Sequence, residues 1–293
     1  MSDQPGSYYV PKHSALPIVS AIGLFFLGIG SIEVFESPQI AFALFGLGGV
    51  ILALNLIVWF SSIIRESRTG LHDRQMNRTY YWGMFWFMIA QTFFALVFLG
   101  SMVYVRAFVI PGLGGEGSEA FRLTHLLLWP NFTAAWPLLT NPAAQEFVGP
   151  SSALVINIYS WISTAIMLLS GCTMWLATCA LKASQKVRLS LAIGATLLCA
   201  FLFTLVHGYS IVGAIYYYKL TIFSGIYGSL FFMINVVLLL NLLVSTLFLL
   251  VVFMRSLAGH FTAENQFSVK ALSWLWYFIV ALWMVIFVYV YWV

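Results

Sequence analysis

Apolar residues in this chain run in long unbroken stretches, and the polar positions gather in short blocks between them. A helix needs about 20 mostly apolar residues to cross a hydrocarbon layer roughly 30 Å thick. Seven stretches meet that length: 17–36, 39–63, 80–108, 152–181, 187–215, 224–254 and 271–293. The third, fourth and sixth are long enough to tilt. The absence of period-two alternation argues against a membrane barrel, which leaves helices as the element that satisfies its own backbone in lipid.

Composition agrees: 62% of residues are hydrophobic, 17% aromatic and 8% charged, with a mean hydropathy of +0.96. Charge placement tests the helix count. With a cytoplasmic N-terminus, the inner segments hold Lys12, Arg65, Arg68, Arg74, Arg78, Lys182, Lys186, Arg188, Arg255 and Lys270. Only Arg106, Arg122 and Lys219 of the 13 basic residues fall outside. That bias is what the positive-inside rule requires, and a wrong count would scramble it. It also accounts for the basic pI of 9.0 through topology and anionic headgroups, without nucleic acid. The C-terminus is then periplasmic if the membrane is the inner membrane of a bacterium.

The first residues, MSDQPGSYYVPKHSALP, lack the basic region, short apolar core and small-residue site of a signal peptide. Cys172, Cys179 and Cys199 fall in predicted helices and read as small buried apolar residues. The sequons at Asn77 and Asn131 read as chance matches. Two connections are long: a basic inner segment, 65–79, and a Gly and Pro-rich outer loop, 111–150, whose aromatics belong at headgroup level. With no repeat, low-complexity tract or linker, the expectation is a single membrane domain over 1–293. It has a tail at 1–16, helices one and two in 17–63, and helices three to seven in 80–293.

Candidate chemistry is sparse. His13, His72, His125 and His260 lie in predicted loops or at termini, and only His207 is within a span, so no pair of facing imidazoles is available for haem or copper. The carboxylates are peripheral too, whereas a transporter or pump keeps an ionisable group at membrane depth. An independent transporter or channel is therefore disfavoured. The Gly-rich GLGGEG has no strand before it and is no phosphate loop. What remains at expected mid-membrane depth is neutral: Asn55, Gln91, Asn157, Asn235 and Asn241, each expected to bond a neighbouring helix. Gly46, Gly48, Gly49, Gly225 and Gly228 are expected to let helices approach closely.

Longer motifs add a resemblance. YYVP (Tyr8 to Pro11), WFSSIIRESRTGLH (Trp59 to His72) running into YWGMFWFMIAQTFF (Tyr81 to Phe94), GGEG, LLWP, TAAWPLLTNP, SGIYGSLFFM (Ser224 to Met233), RSLAGHFTAENQF (Arg255 to Phe267), SWLWYF and the terminal VYVYW resemble, in order, subunit III of the haem-copper cytochrome c oxidases. The long loop and seven helices resemble the proteobacterial form; the subunits of quinol oxidases and nitric oxide reductases are typically shorter, with five helices. The resemblance implies two N-terminal helices in a V against a five-helix bundle, with lipids in the cleft. It implies a non-catalytic subunit that stabilises the oxidase beside subunits I and II, with haem and copper in those partners and none in this chain. Carried over by position, it places phospholipid headgroups at Arg65, Glu66, His72 and Arg255.

The departures from that pattern form a set. Gln91 occupies the position of the family's buried glutamate, and Ala90 that of the serine before it. Paired histidines fall at Thr178 and Cys179, a glutamate near Ser210, and two histidines at Leu238 and Asn241. Lys270, Tyr277 and Val280 replace a glutamate, a histidine and an aspartate, and Tyr81 stands where an arginine usually binds lipid. Buried charge is costly in lipid, so a network no longer used should decay to neutral residues together. The expectation is a divergent subunit III that keeps assembly and lipid contacts without proton-linked chemistry, or a paralogue serving another respiratory complex.

Overall fold

The computed structural model describes residues 14–34, 36–69, 74–154, 156–261 and 266–292. Every described regular element is helical. In chain order they are α1 (Leu16–Glu33), α2 (Pro38–Arg68), α3 (Arg74–Tyr104), a π-helical turn (Val105–Val109), α4 (Ile110–Leu113), α5 (Glu119–Leu128), α6 (Ile158–Lys182), α7 (Lys186–Tyr218), α8 (Ile226–Leu257), α9 (Phe267–Ile286) and a closing π-helical turn (Phe287–Tyr291). Seven of the helical stretches are long and apolar enough to span a membrane, as the hydrophobic pattern predicts.

The boundaries differ where a polar segment can remain helical. RQMNRTY contains neither Gly nor Pro, so α3 starts at Arg74, six residues before the apolar run. The fourth span starts late, at Ile158, because Asn157 caps it: its Oδ1 accepts from Ser160 N at 3.0 Å and from Ser160 Oγ at 3.1 Å. Asn157 is thus a helix cap and not a mid-membrane amide. The third span continues to Leu113 past Pro111, with the widened turn at 105–109 just ahead of the missing N–H. The outer loop also contains a helix that the hydropathy pattern did not reveal, α5, whose N-cap Ser118 accepts from Phe121 N at 3.4 Å.

Chain contacts divide the protein into two compact units, Met1–Gly83 and Met84–Val293. In the first, α1 and α2 pack on one another. A Cβ at Gly48 would sit 2.8 Å from the Gly23 carbonyl, so backbone meets backbone there, whereas Gly46 and Gly49 face open space. Asn55 Nδ2 donates across the pair to Ser20 Oγ at 2.6 Å and to the Leu16 carbonyl at 3.2 Å.

In the second unit α6, α7, α8 and α9 form a ring, each packed on its neighbours. Trp276, Trp283, Phe203 and Phe231 fill the interior. The outer half of α3 joins this core through Ala95, Leu99 and Met102. Two indoles fasten α9 to α6: Trp276 Nε1 donates to Ser170 Oγ at 3.0 Å and Trp283 Nε1 to Thr164 Oγ1 at 3.1 Å. Cys172 and Cys179 are exposed on α6 and only Cys199 is buried, which corrects the expectation of three buried thiols. Gly225 and Gly228 serve the turn into α8 and not a helix crossing. Gly225 has φ +105°, and a Cβ at Gly228 would run into Ser224 Oγ and the Thr221 carbonyl.

Candidate functional site

The described lipid-contact candidates fall at the C-terminal ends of α2 and α8, in different units. Arg65 is exposed on the last turn of α2, and Glu66 beside it is half-buried. Their carbonyls both accept from Thr69 Oγ1, at 3.1 and 3.0 Å, so that side chain closes the helix end. His72 lies outside the described residues. In the same unit Gln75, Asn77, Arg78 and Tyr81 line a groove of about 660 Å³. Arg78, one turn before Tyr81, brings a guanidinium to this groove.

Arg255 is the most enclosed of these cations, at 6% exposure. Its Nη1 donates to Ser268 Oγ at 2.9 Å, and its guanidinium lies over the Phe261 ring, 5.0 Å from the centroid. Nε and Nη2 are buried without a hydrogen-bond partner among the described residues. An enclosed guanidinium with two donors unpartnered among the described residues has the chemistry to take an anionic acceptor.

Of the amides, Asn55 and Asn235 bond a neighbouring helical segment as expected. Asn241 Nδ2 donates to the Val237 carbonyl of its own helix at 2.9 Å. Gln91, half-buried near the middle of the third span, makes no hydrogen bond among the described residues. Asn235 organises a cluster that sequence reasoning missed. Its Nδ2 donates to Phe231 O at 2.8 Å, which aims Oδ1 at two donors: His207 Nε2 at 3.0 Å and Tyr291 Oη at 3.3 Å. Because Oδ1 can only accept, His207 carries its proton on Nε2. The imidazole stacks on Phe203, 5.3 Å between centroids, with the Trp283 ring edge-on at 5.0 Å. Sequence placed His207 in a span, but nothing in it linked that residue to a tyrosine in the last turn of the chain.

Four of the positions singled out in the sequence, Thr178, Cys179, Tyr277 and Val280, lie on α6 and α9, which pack on one another. Tyr277 lies close to Thr178, Cys179 and Cys172. Val280, also on α9, faces Gly171, whose Cβ would lie 3.6 Å from it. Elsewhere Leu238 is fully enclosed, and the buried Ser210 Oγ has no partner among the described residues. Among those residues no three His, Cys, Asp or Glu side chains converge.

Comparison with known proteins accords with this arrangement. The curated relatives include the cytochrome c oxidase subunit 3 of Oncorhynchus mykiss, 28% identical over 295 residues, covering 100% of this chain and 99% of the relative. The protein of the same name from Gadus morhua is 26% identical over 293 residues, with the same coverage. That from Anopheles gambiae is 27% identical over 286 residues, 97% of this chain and 96% of its own. The family model described as Cytochrome c oxidase subunit III matches residues 6–114 and 134–293, passing over 115–133. Matched along nearly its whole length and folded into seven membrane-length helices, the chain belongs to the cytochrome c oxidase subunit III family.

Proposed function

We propose that the chain is the non-catalytic subunit III of a haem-copper cytochrome c oxidase in an aerobic respiratory chain, stabilising the catalytic subunit and holding phospholipid. The observation that carries this reading is the family match over residues 6–114 and 134–293. Haem and copper belong, on this reading, to the partner subunits I and II. This chain's ionisable side chains are gathered mostly at helix ends, and its spans are built for packing and lipid. The positive-inside bias supports an orientation with the N-terminus on the inner side, and on this reading the membrane is a bacterial inner membrane with the N-terminus cytoplasmic and the C-terminus periplasmic. A phosphate headgroup on Arg255, with further headgroups at Arg65, Glu66, His72 and the Arg78 groove, agrees with the open donors of Arg255 and with the inner-surface charge.

Affinity purification in mild detergent, followed by a visible spectrum and mass spectrometry, tests the reading. Haem bands in the reduced-minus-oxidised spectrum together with a haem-copper subunit are expected. A colourless preparation without such a partner would overturn it. It would favour the second reading, a divergent paralogue serving as an accessory or assembly subunit of another respiratory complex. That alternative draws on the neutral set Gln91, Thr178, Ser210, Leu238, Tyr277 and Val280.

A further inference from the structure

We propose that α5 is an interfacial anchor, with Leu123, Leu126 and Leu127 seated among the lipids of the leaflet at the Leu113 end of the third span. The helix lies wholly inside residues 115–133, which the family model passes over, so it is an addition to the family's common core. It has its own start signal in Ser118 and Glu119, and so is a formed helix of about 15 Å.

Its depth is set by two contacts with the end of the span. His125 Nδ1 lies 3.0 Å from the Leu113 carbonyl, and since a carbonyl can only accept, that nitrogen carries the proton. This bond satisfies an acceptor that the end of the helix leaves open. One turn earlier the Phe121 ring lies 3.5 Å from where a Cβ on Gly112 would be. Gly115 and Gly117, at φ +87° and +99°, reverse the chain between the two helices. Thus α5 lies against the span's last turn and shares its level.

The opposite side of the helix is uncovered. Leu123 and Leu127 lie about 160° round the axis from Phe121 and His125, and with Leu126 they are 56%, 78% and 60% exposed. No residue of α5 is buried. The span itself exposes apolar surface one to three turns before Leu113, with Tyr104 and Phe108 61% and 65% exposed. On this proposal the leucines continue that apolar surface towards the headgroups. Glu119 lies on the leucine side of the helix but in its first turn, and pairs at 3.6 Å with Arg122 at the border of that side, which keeps the N-terminal end of α5 in the headgroup layer.

The test uses the full chain with the subunits that co-purify with it, in nanodiscs of phosphatidylcholine and phosphatidylglycerol. Cys172→Ser, Cys179→Ser and Cys199→Ala clear the background. A spin label is placed at Leu127→Cys, or at Leu123→Cys on the same face should the first variant not fold. A reference label goes at Glu146→Cys, exposed elsewhere in the outer loop. The label on α5 is expected to collide with oxygen several-fold more, relative to a water-soluble nickel chelate, than the reference does. An oxygen-to-nickel ratio equal to the reference would mean that the leucines face water and would overturn the proposal. Protection from both reagents would overturn it as well, because a protein partner would then cover the face.

Discussion

The α1–α2 pair and the α6–α9 ring are both apolar helices packed in lipid, yet they are held together by different means. Of the apolar windows of α1 and α2, 11% and 17% of residues are buried; of the last span, 56%. Lipid is as apolar as leucine, so burying leucine gives helices little reason to associate, and close packing and polar contacts must supply it. The pair uses small residues and one amide across its seam. The ring uses aromatic knobs, of which Trp276, Trp283 and Tyr291 carry a polar tip to a hydroxyl or an amide on a facing element. Lesions in the two regions should therefore fail through different chemistry.

The largest effect is expected in the ring. Trp283→Ala removes a fully enclosed indole and the bond to Thr164, and should cost about 3–5 kcal/mol in denaturant unfolding of the purified chain in detergent. Trp283→Phe retains most of the volume and loses the N–H, so it should cost about 1 kcal/mol. Equal costs for the two would show that the hydrogen bond, and not the packing, closes the ring.

In the pair the sharpest lesion adds atoms. Gly48→Val drives a branched side chain into the Gly23 carbonyl, where only backbone movement can relieve the clash, and should cost about 1–3 kcal/mol. Gly46→Val, with nothing within 4 Å of its Cβ, should be close to neutral in the same measurement. A matching loss in both variants would mean that glycine acts there through helix propensity and not through close approach.

That contrast also shows where sequence reading stopped. The spans were legible because hydropathy over 20 residues integrates a large signal, and their ends were not, because caps are decided by single side chains such as Asn157 and Ser118. Gly46, Gly48 and Gly49 look alike in sequence, since the rotation of a helix about its axis in an all-apolar segment leaves no periodic trace. The α5 helix was missed for a related reason: its apolar residues are too few to span and are interleaved with Glu119, Arg122 and His125. Arg255 could be placed at the inner surface from sequence. Its enclosure, and the Ser268 and Phe261 that hold it, required the fold. The cluster around Asn235 joins residues from three helical segments, and no local pattern announces such a meeting.

A smaller effect should follow from the amides. Asn55→Leu removes both polar contacts across the pair and should cost about 0.6–1.7 kcal/mol. Asn241→Leu breaks only a bond to its own backbone and should cost less. If the order were reversed, Asn241 would have an interhelical role that its geometry does not show.

The smallest effect is expected at Gln91. An amide at this depth without a partner among the described residues contributes no interhelical bond between them. Gln91→Leu should therefore leave unfolding within about 0.5 kcal/mol of the parent. Gln91→Glu introduces the acid that the resemblance implies at this position, without the ionisable companions that it implies at Thr178, Cys179, Ser210, Leu238 and Tyr277. Oxygen consumption and proton pumping by the purified complex in vesicles should then match the parent for both variants. A marked change with Gln91→Glu alone would mean that a lone carboxyl at this position suffices for the family's proton-linked role, and that the neutral residues around it are no sign of a lost network.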